Sequence, residues 1–146
     1  MPSPRSGTVL GAVALGGALG ALARHGAATL WPTGGGDFPW TTTLVNVIGC
    51  ALTGIVLVLV LERAPERPAH PLAKPFLATG FLGGFTTFSA YAVEVERLFS
   101  GGHAASAVAY LVLTPVLALL AVWTAATAVR RARRPRAVPH AGGGPR

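Results

Sequence analysis

Gly80-Phe81-Leu82-Gly83-Gly84-Phe85-Thr86-Thr87-Phe88-Ser89-Ala90-Tyr91 lies inside one of four long apolar stretches. Two adjacent glycines followed by two threonines are poor material for a continuous helix, since each glycine costs up to about 1 kcal/mol relative to alanine. A helix broken here would free N–H and C=O groups at mid-membrane depth. Such backbone is tolerated only where protein buries it or where it lines a polar path. Freed carbonyls suit a small cation, and half-helix N-termini suit an anion. Composition leaves a second reading open, a glycine-packed helix whose threonine hydroxyls bond back to the preceding turn.

Outward from this stretch the chain is a membrane protein in composition. Of 146 residues, 51% are hydrophobic and 12% charged, about half the charge of an ordinary soluble domain, and the mean hydropathy is +0.55. A spanning helix needs about 20 largely apolar residues. The sequence offers four, over residues 8–31, 42–61, 75–99 and 104–129, in one domain over 1–130. The expected fold is all-α and integral to the membrane, with the third helix broken. No signal peptide is evident, because the first apolar stretch is too long for an h-region. Residues 131–146 are Arg, Pro, Gly and Ala with a single valine and histidine, and read as a disordered basic tail.

The net charge of +7 does not point to nucleic acid, because six of the twelve basic residues follow the last apolar stretch: Arg130, Arg131, Arg133, Arg134, Arg136 and Arg146. That placement is a juxtamembrane anchor. With four spans, Arg5, Arg63, Arg67, Lys74 and the tail arginines share one side, whereas Arg97 stands on the other. The positive-inside rule then puts both termini in the cytoplasm of a cell-membrane protein. Gly16 and Gly20 form a small-xxx-small pair for close helix approach, and Gly49 with Thr53 a weaker one. Four helices enclose little volume, so a polar pathway is expected between subunits.

Three ordered motifs carry a resemblance. Gly16-Gly17-Ala18-Leu19-Gly20-Ala21-Leu22-Ala23-Arg24, Thr43-Leu44-Val45-Asn46-Val47-Ile48-Gly49 and Gly83-Gly84-Phe85-Thr86-Thr87-Phe88-Ser89 resemble patterns of the Fluc/CrcB family of fluoride channels. The resemblance implies an antiparallel dimer with two narrow fluoride pores along the subunit interface, passively exporting fluoride and so relieving its toxicity. It implies a structural sodium ion at the dimer centre, held by backbone carbonyls of Gly83 and Thr86. Asn46 and Phe88 would line each pore, with Thr87 and Ser89 of the break motif. Tyr110 and Thr114 would form a polar track on the fourth helix, and Thr42 would add a hydroxyl on the second. Arg24 and Glu94 would stand at the vestibules. The second aromatic, usually Phe, is Tyr91, whose added hydroxyl puts that side of a pore in question.

The residues read independently agree with those roles. Fluoride is small and strongly hydrated, so amide and hydroxyl donors must replace its water, and phenyl edges contact an anion without trapping it. Asn46 in an apolar run either bridges helices or lines a path. Arg24 either snorkels or draws anions inward. Glu94 and Glu96 are expected in the wet interfacial zone and are no catalytic pair, since i and i+2 point apart. His25 reads as interfacial, Cys50 as a small buried side chain, and Trp31, Trp40 and Trp123 as aromatic belts. No catalytic or phosphate-binding constellation appears, so the chain reads as non-enzymatic.

A small multidrug exporter driven by protons also uses four short helices, but it needs a carboxylate in its first helix, where this chain has Arg24. A non-conducting partner subunit is the other alternative. The loop-charge bias predicts one dominant orientation. A homodimer of opposed copies is therefore in competition with a heterodimer in which a similar subunit has the opposite bias.

Overall fold

The computed structural model describes residues 5–34, 36–62 and 70–133. Among them helix is the only regular secondary structure, with four helices long and apolar enough to cross a membrane. The first is α1, Ser6–Leu30. The second is α2, Trp40–Val56, which widens into a π-helical stretch, Leu57–Leu61. The third begins as a π-helical stretch, Lys74–Leu82, tightens into α3, Gly83–Phe85, breaks over residues 86–88 and resumes as α4, Ser89–Ser100. The fourth is α5, Ala104–Arg133. At 25 and 30 residues, α1 and α5 exceed the about 20 that hydrocarbon demands.

Large apolar side chains turn outward rather than inward. Leu22, Leu119 and Trp123 are each about two-thirds exposed, which water would penalise and lipid accepts. The chain is a multi-pass membrane protein. Trp31, Trp40 and Trp123 are all exposed, as interfacial aromatics would be.

The helices pack in two pairs, α1 along the first half of the third span and α2 along α5, with α4 closing on α5. Glycine sets the first contact. A Cβ on Gly16 would lie 2.9 Å from the Phe81 nitrogen, and one on Gly80 would lie 2.8 Å from the Val13 carbonyl oxygen. A Cβ on Gly20 would run into the Phe81 carbonyl, and one on Gly84 into that of Gly17. Backbone therefore touches backbone, the close approach that small residues permit in lipid. The α4–α5 connection turns at Gly102, φ +80°, a conformation glycine adopts without a Cβ penalty.

Two boundaries differ from the sequence reading. The helix runs unbroken through Gly83 and Gly84 and opens only at Thr86, because Gly84 is packed on α1 and the side-chain oxygens that intercept helical N–H groups reach Thr87 and Ala90, beyond the glycines. At the other end, α5 continues to Arg133, past the expected end of the span at 129 and into the segment read as a tail from 131. Arg130 makes a two-pronged ion pair with Glu62, 2.6 and 3.0 Å, and Arg133 donates to the Val58 carbonyl at 2.8 Å. These contacts make Arg131 and Arg133 helical instead of part of a tail. Pro135 follows in the sequence and disfavours helix at the residue before it. The remainder of the expected basic tail, and loop residues Arg63 and Arg67, lie outside the described residues.

Candidate functional site

The break is built by side chains that intercept helical hydrogen bonds. Thr86 is extended, φ −75° and ψ 156°. In a continuous helix the Thr87 N–H would serve the Gly83 carbonyl, but it donates to Asn46 Oδ1 at 2.8 Å. Asn46 Nδ2 in turn donates to the Thr87 carbonyl at 3.0 Å. The Ala90 N–H, which would serve Thr86, goes to Thr87 Oγ1 at 3.1 Å, a side-chain cap for the start of α4. Arg24 Nε donates to the Gly84 carbonyl at 3.2 Å. Asn46 bridges α2 to the break and also lines a groove. For Arg24 the structure supplies a role that neither snorkelling nor anion attraction included, the capping of the first half-helix.

Interception leaves the Gly83 and Thr86 carbonyls without their helical donors. Gly83 is exposed, and a Cβ there would meet nothing within 4 Å. Two freed hard oxygens, one on an open face, suit a small cation such as sodium. The alternative reading of this stretch is also partly realised, since Thr86 Oγ1 donates back to the Leu82 carbonyl at 2.8 Å.

A groove of about 490 Å³ opens beside the break. Its walls bring together six of the expected residues, Asn46, Thr86, Thr87, Phe88, Tyr91 and Thr114. Cys50, Leu111, Pro115 and Ala118 complete it. Phe88 is 79% exposed, with its ring 5.7 Å from that of Tyr91. Asn46 uses Oδ1 and one Nδ2 hydrogen on Thr87, so one amide hydrogen remains for the groove. Thr114 shares a hydrogen bond of 3.1 Å with Thr43. The sequence reading missed the lining by Cys50, Leu111 and Pro115. Cys50 is half-buried rather than fully buried, and its position one turn after Asn46, on the same helix face, was the available signal.

Four expected residues gather elsewhere. Glu94 accepts from Thr42 Oγ1 at 2.8 Å and from Tyr110 Oη at 2.6 Å, so its carboxylate joins α2, α4 and α5. Each carboxylate oxygen has a hydroxyl partner, and Tyr110 is fully buried. Glu94 also borders a shallow hollow with Ser89 and Arg97. Tyr110 lies under Tyr91, with centroids 5.1 Å apart, and Phe38 meets it edge-on at 5.4 Å. Among the described residues no group of three His, Cys, Asp or Glu side chains could hold a metal, so a cation would depend on backbone oxygens.

A family model described as CrcB-like protein, Camphor Resistance (CrcB), matches residues 11–126. The chain belongs to the CrcB family. The match takes in most of α1, α2, the broken third span and most of α5, and with them all three sequence motifs. Among this CrcB-family chain's relatives is fluoride-specific ion channel FluC 1 of Streptomyces coelicolor, 54% identical over 123 residues, 84% of this chain and 78% of that one. Fluoride-specific ion channel FluC 2 of Streptomyces avermitilis is 54% identical over 106 residues, 73% of this chain and 65% of its own length. The protein of the same name from Nocardia farcinica is 44% identical over 119 residues, 82% and 83% of the two chains.

Proposed function

We propose that this CrcB-family chain is a fluoride channel, non-enzymatic, that lets fluoride leave the cytoplasm passively and so relieves its toxicity. The observation that carries the reading is the groove at the break. There an amide donor (Asn46), hydroxyl-bearing Thr87 and Thr114, and the rings of Phe88 and Tyr91 converge. Donors replace the water that fluoride gives up, and ring edges hold the anion loosely enough for release. Relatives named as fluoride-specific channels support the same reading. Ser89 and Glu94, with Thr42 and Tyr110 behind them, would form the mouth.

The groove is open along one side, and the exposure of Phe88 and Gly83 fits closure by a second subunit. The partner would lie antiparallel, either another copy or a similar chain of opposite loop-charge bias. Both termini would face the cytoplasm in the dominant orientation. Carbonyls of Gly83 and Thr86 would hold a structural sodium ion on the face between subunits. When bound, it would offset the negative ends of the freed carbonyls. The proton-coupled exporter finds less support, because it needs a carboxylate in its first helix, where this chain has Arg24, a cation that donates to the Gly84 carbonyl.

The test is efflux from liposomes reconstituted with the purified protein and loaded with potassium fluoride, opened electrically with a potassium ionophore. Fluoride should appear outside, and Asn46→Ala should abolish the flux. A silent wild-type protein that exchanges drug cations for protons would overturn the reading. Intact cellular fluoride tolerance in an Asn46→Ala strain would favour the non-conducting subunit.

A further inference from the structure

Pro115 lies inside α5, and proline has no N–H to give to the carbonyl four residues back. That carbonyl belongs to Leu111. It is not left bare: Tyr91 Oη, reaching from α4, donates to it at 2.7 Å. Tyr91, Leu111 and Pro115 all line the groove. Where water is scarce, an orphaned carbonyl costs free energy, and on the wall of an anion path its lone pairs would repel the passing ion.

We infer that Tyr91 and Pro115 act as a pair, in which the tyrosine hydroxyl covers the carbonyl that the proline exposes and so keeps the groove wall free of negative charge. The inference rests on the groove being the anion path. It changes what the Tyr91 hydroxyl means. Its single proton is committed to Leu111, so Tyr91 presents its ring to the groove rather than a hydroxyl donor. The same bond fixes the ring's tilt, together with its contacts to Tyr110 at 5.1 Å and Phe88 at 5.7 Å. The wall beside Tyr91 is then a working surface, and the extra oxygen is part of its construction.

The pairing makes an uncommon prediction about rescue. Tyr91→Phe keeps the ring but strips the cover from Leu111, and fluoride flux in liposomes should fall by about tenfold, the scale of one buried acceptor left unpaired. Adding Pro115→Ala supplies the missing N–H from within α5. The double variant should recover flux and fluoride-over-chloride discrimination without the hydroxyl. A Tyr91→Phe channel that conducts like the wild type, or a double variant no better than Tyr91→Phe, would overturn the inference. If the wild type carries no fluoride, the channel reading falls, and melting temperatures in detergent still judge the pair. Tyr91→Phe should melt lower and the double variant should return toward wild type; no return would refute the pairing. The same comparison of yield and melting applies if Tyr91→Phe accumulates poorly.

Discussion

Asn46 on α2 and Thr87 in the third span close a two-bond ring, side-chain amide against backbone peptide, at 2.8 and 3.0 Å. The asparagine thus takes the place that a helical turn would have occupied, and it holds the break open with no unpaired group at Thr87. This is why an asparagine is found in an otherwise apolar run.

Removing that side chain should therefore do more than widen a groove. Asn46→Ala leaves the Thr87 N–H and carbonyl unpaired in a low-dielectric site, a loss of about 1–3 kcal/mol for each buried group. Asn46→Asp keeps the acceptor for the N–H but turns a second oxygen on the Thr87 carbonyl and adds charge in the groove. Both variants should lose fluoride flux, and melting in detergent should show Asn46→Ala destabilised.

The two neighbouring glycines of the motif should respond in opposite ways. A methyl on Gly84 meets the Gly17 carbonyl, whereas one on Gly83 meets nothing within 4 Å. Gly84→Ala should separate α1 from the third span and cost about 1–3 kcal/mol, the usual range for overpacking. Gly83→Ala should leave the protomer's melting unchanged and weaken the proposed association of two subunits, read by crosslinking in membranes.

Glu94 should matter first as a structural acceptor. Glu94→Ala strands the fully buried Tyr110 hydroxyl and the Thr42 hydroxyl, so stability should drop by about 1–3 kcal/mol. Glu94→Gln retains an acceptor, and hydroxyls can turn to receive its amide hydrogens. Its melting temperature should fall much less than that of the alanine variant.

At the far end of α5, the hydrogen bond and charge of Arg130 hold the Glu62 carboxyl below the usual carboxylate range, against a smaller opposing effect of burial. A depressed folded value means that the pair stabilises the protein above the unfolded value, roughly 4.3, and that this is lost as pH falls through the folded value. Glu62→Gln should melt slightly lower than wild type at neutral pH, slightly because the pair is exposed. The two curves should merge in acid below the folded value. A gap that persists there would show that the ion pair is not its source.

The sequence made several of these features legible. Gly16, Gly20 and the four apolar stretches announced a lipid-embedded bundle, and Gly83-Gly84 followed by Thr86-Thr87 marked the region of the break. It did not show that the helix would survive Gly83-Gly84 and yield at Thr86. That outcome depends on Asn46, 41 residues away, and on Arg24, 60 residues from the carbonyl it caps. Nor could the string of residues show that Glu94 would be shared by Thr42 and Tyr110, or that the hydroxyl of Tyr91 would meet the gap above Pro115.

What sequence alone determined was the environment and the kind of secondary structure. In hydrocarbon each backbone group must be satisfied within its own segment, so stretches of about 20 apolar residues become helices whatever surrounds them. Helix packing, by contrast, settled where a helix could be broken. A broken turn frees donors and acceptors, and this one persists because Asn46 and Arg24 arrive from other helices to pair Thr87 and Gly84 while Thr87 Oγ1 caps Ala90. The third span thus stays helical through Gly83 and Gly84 in spite of their poor helix propensity, and it is broken at Thr86 because of its partners.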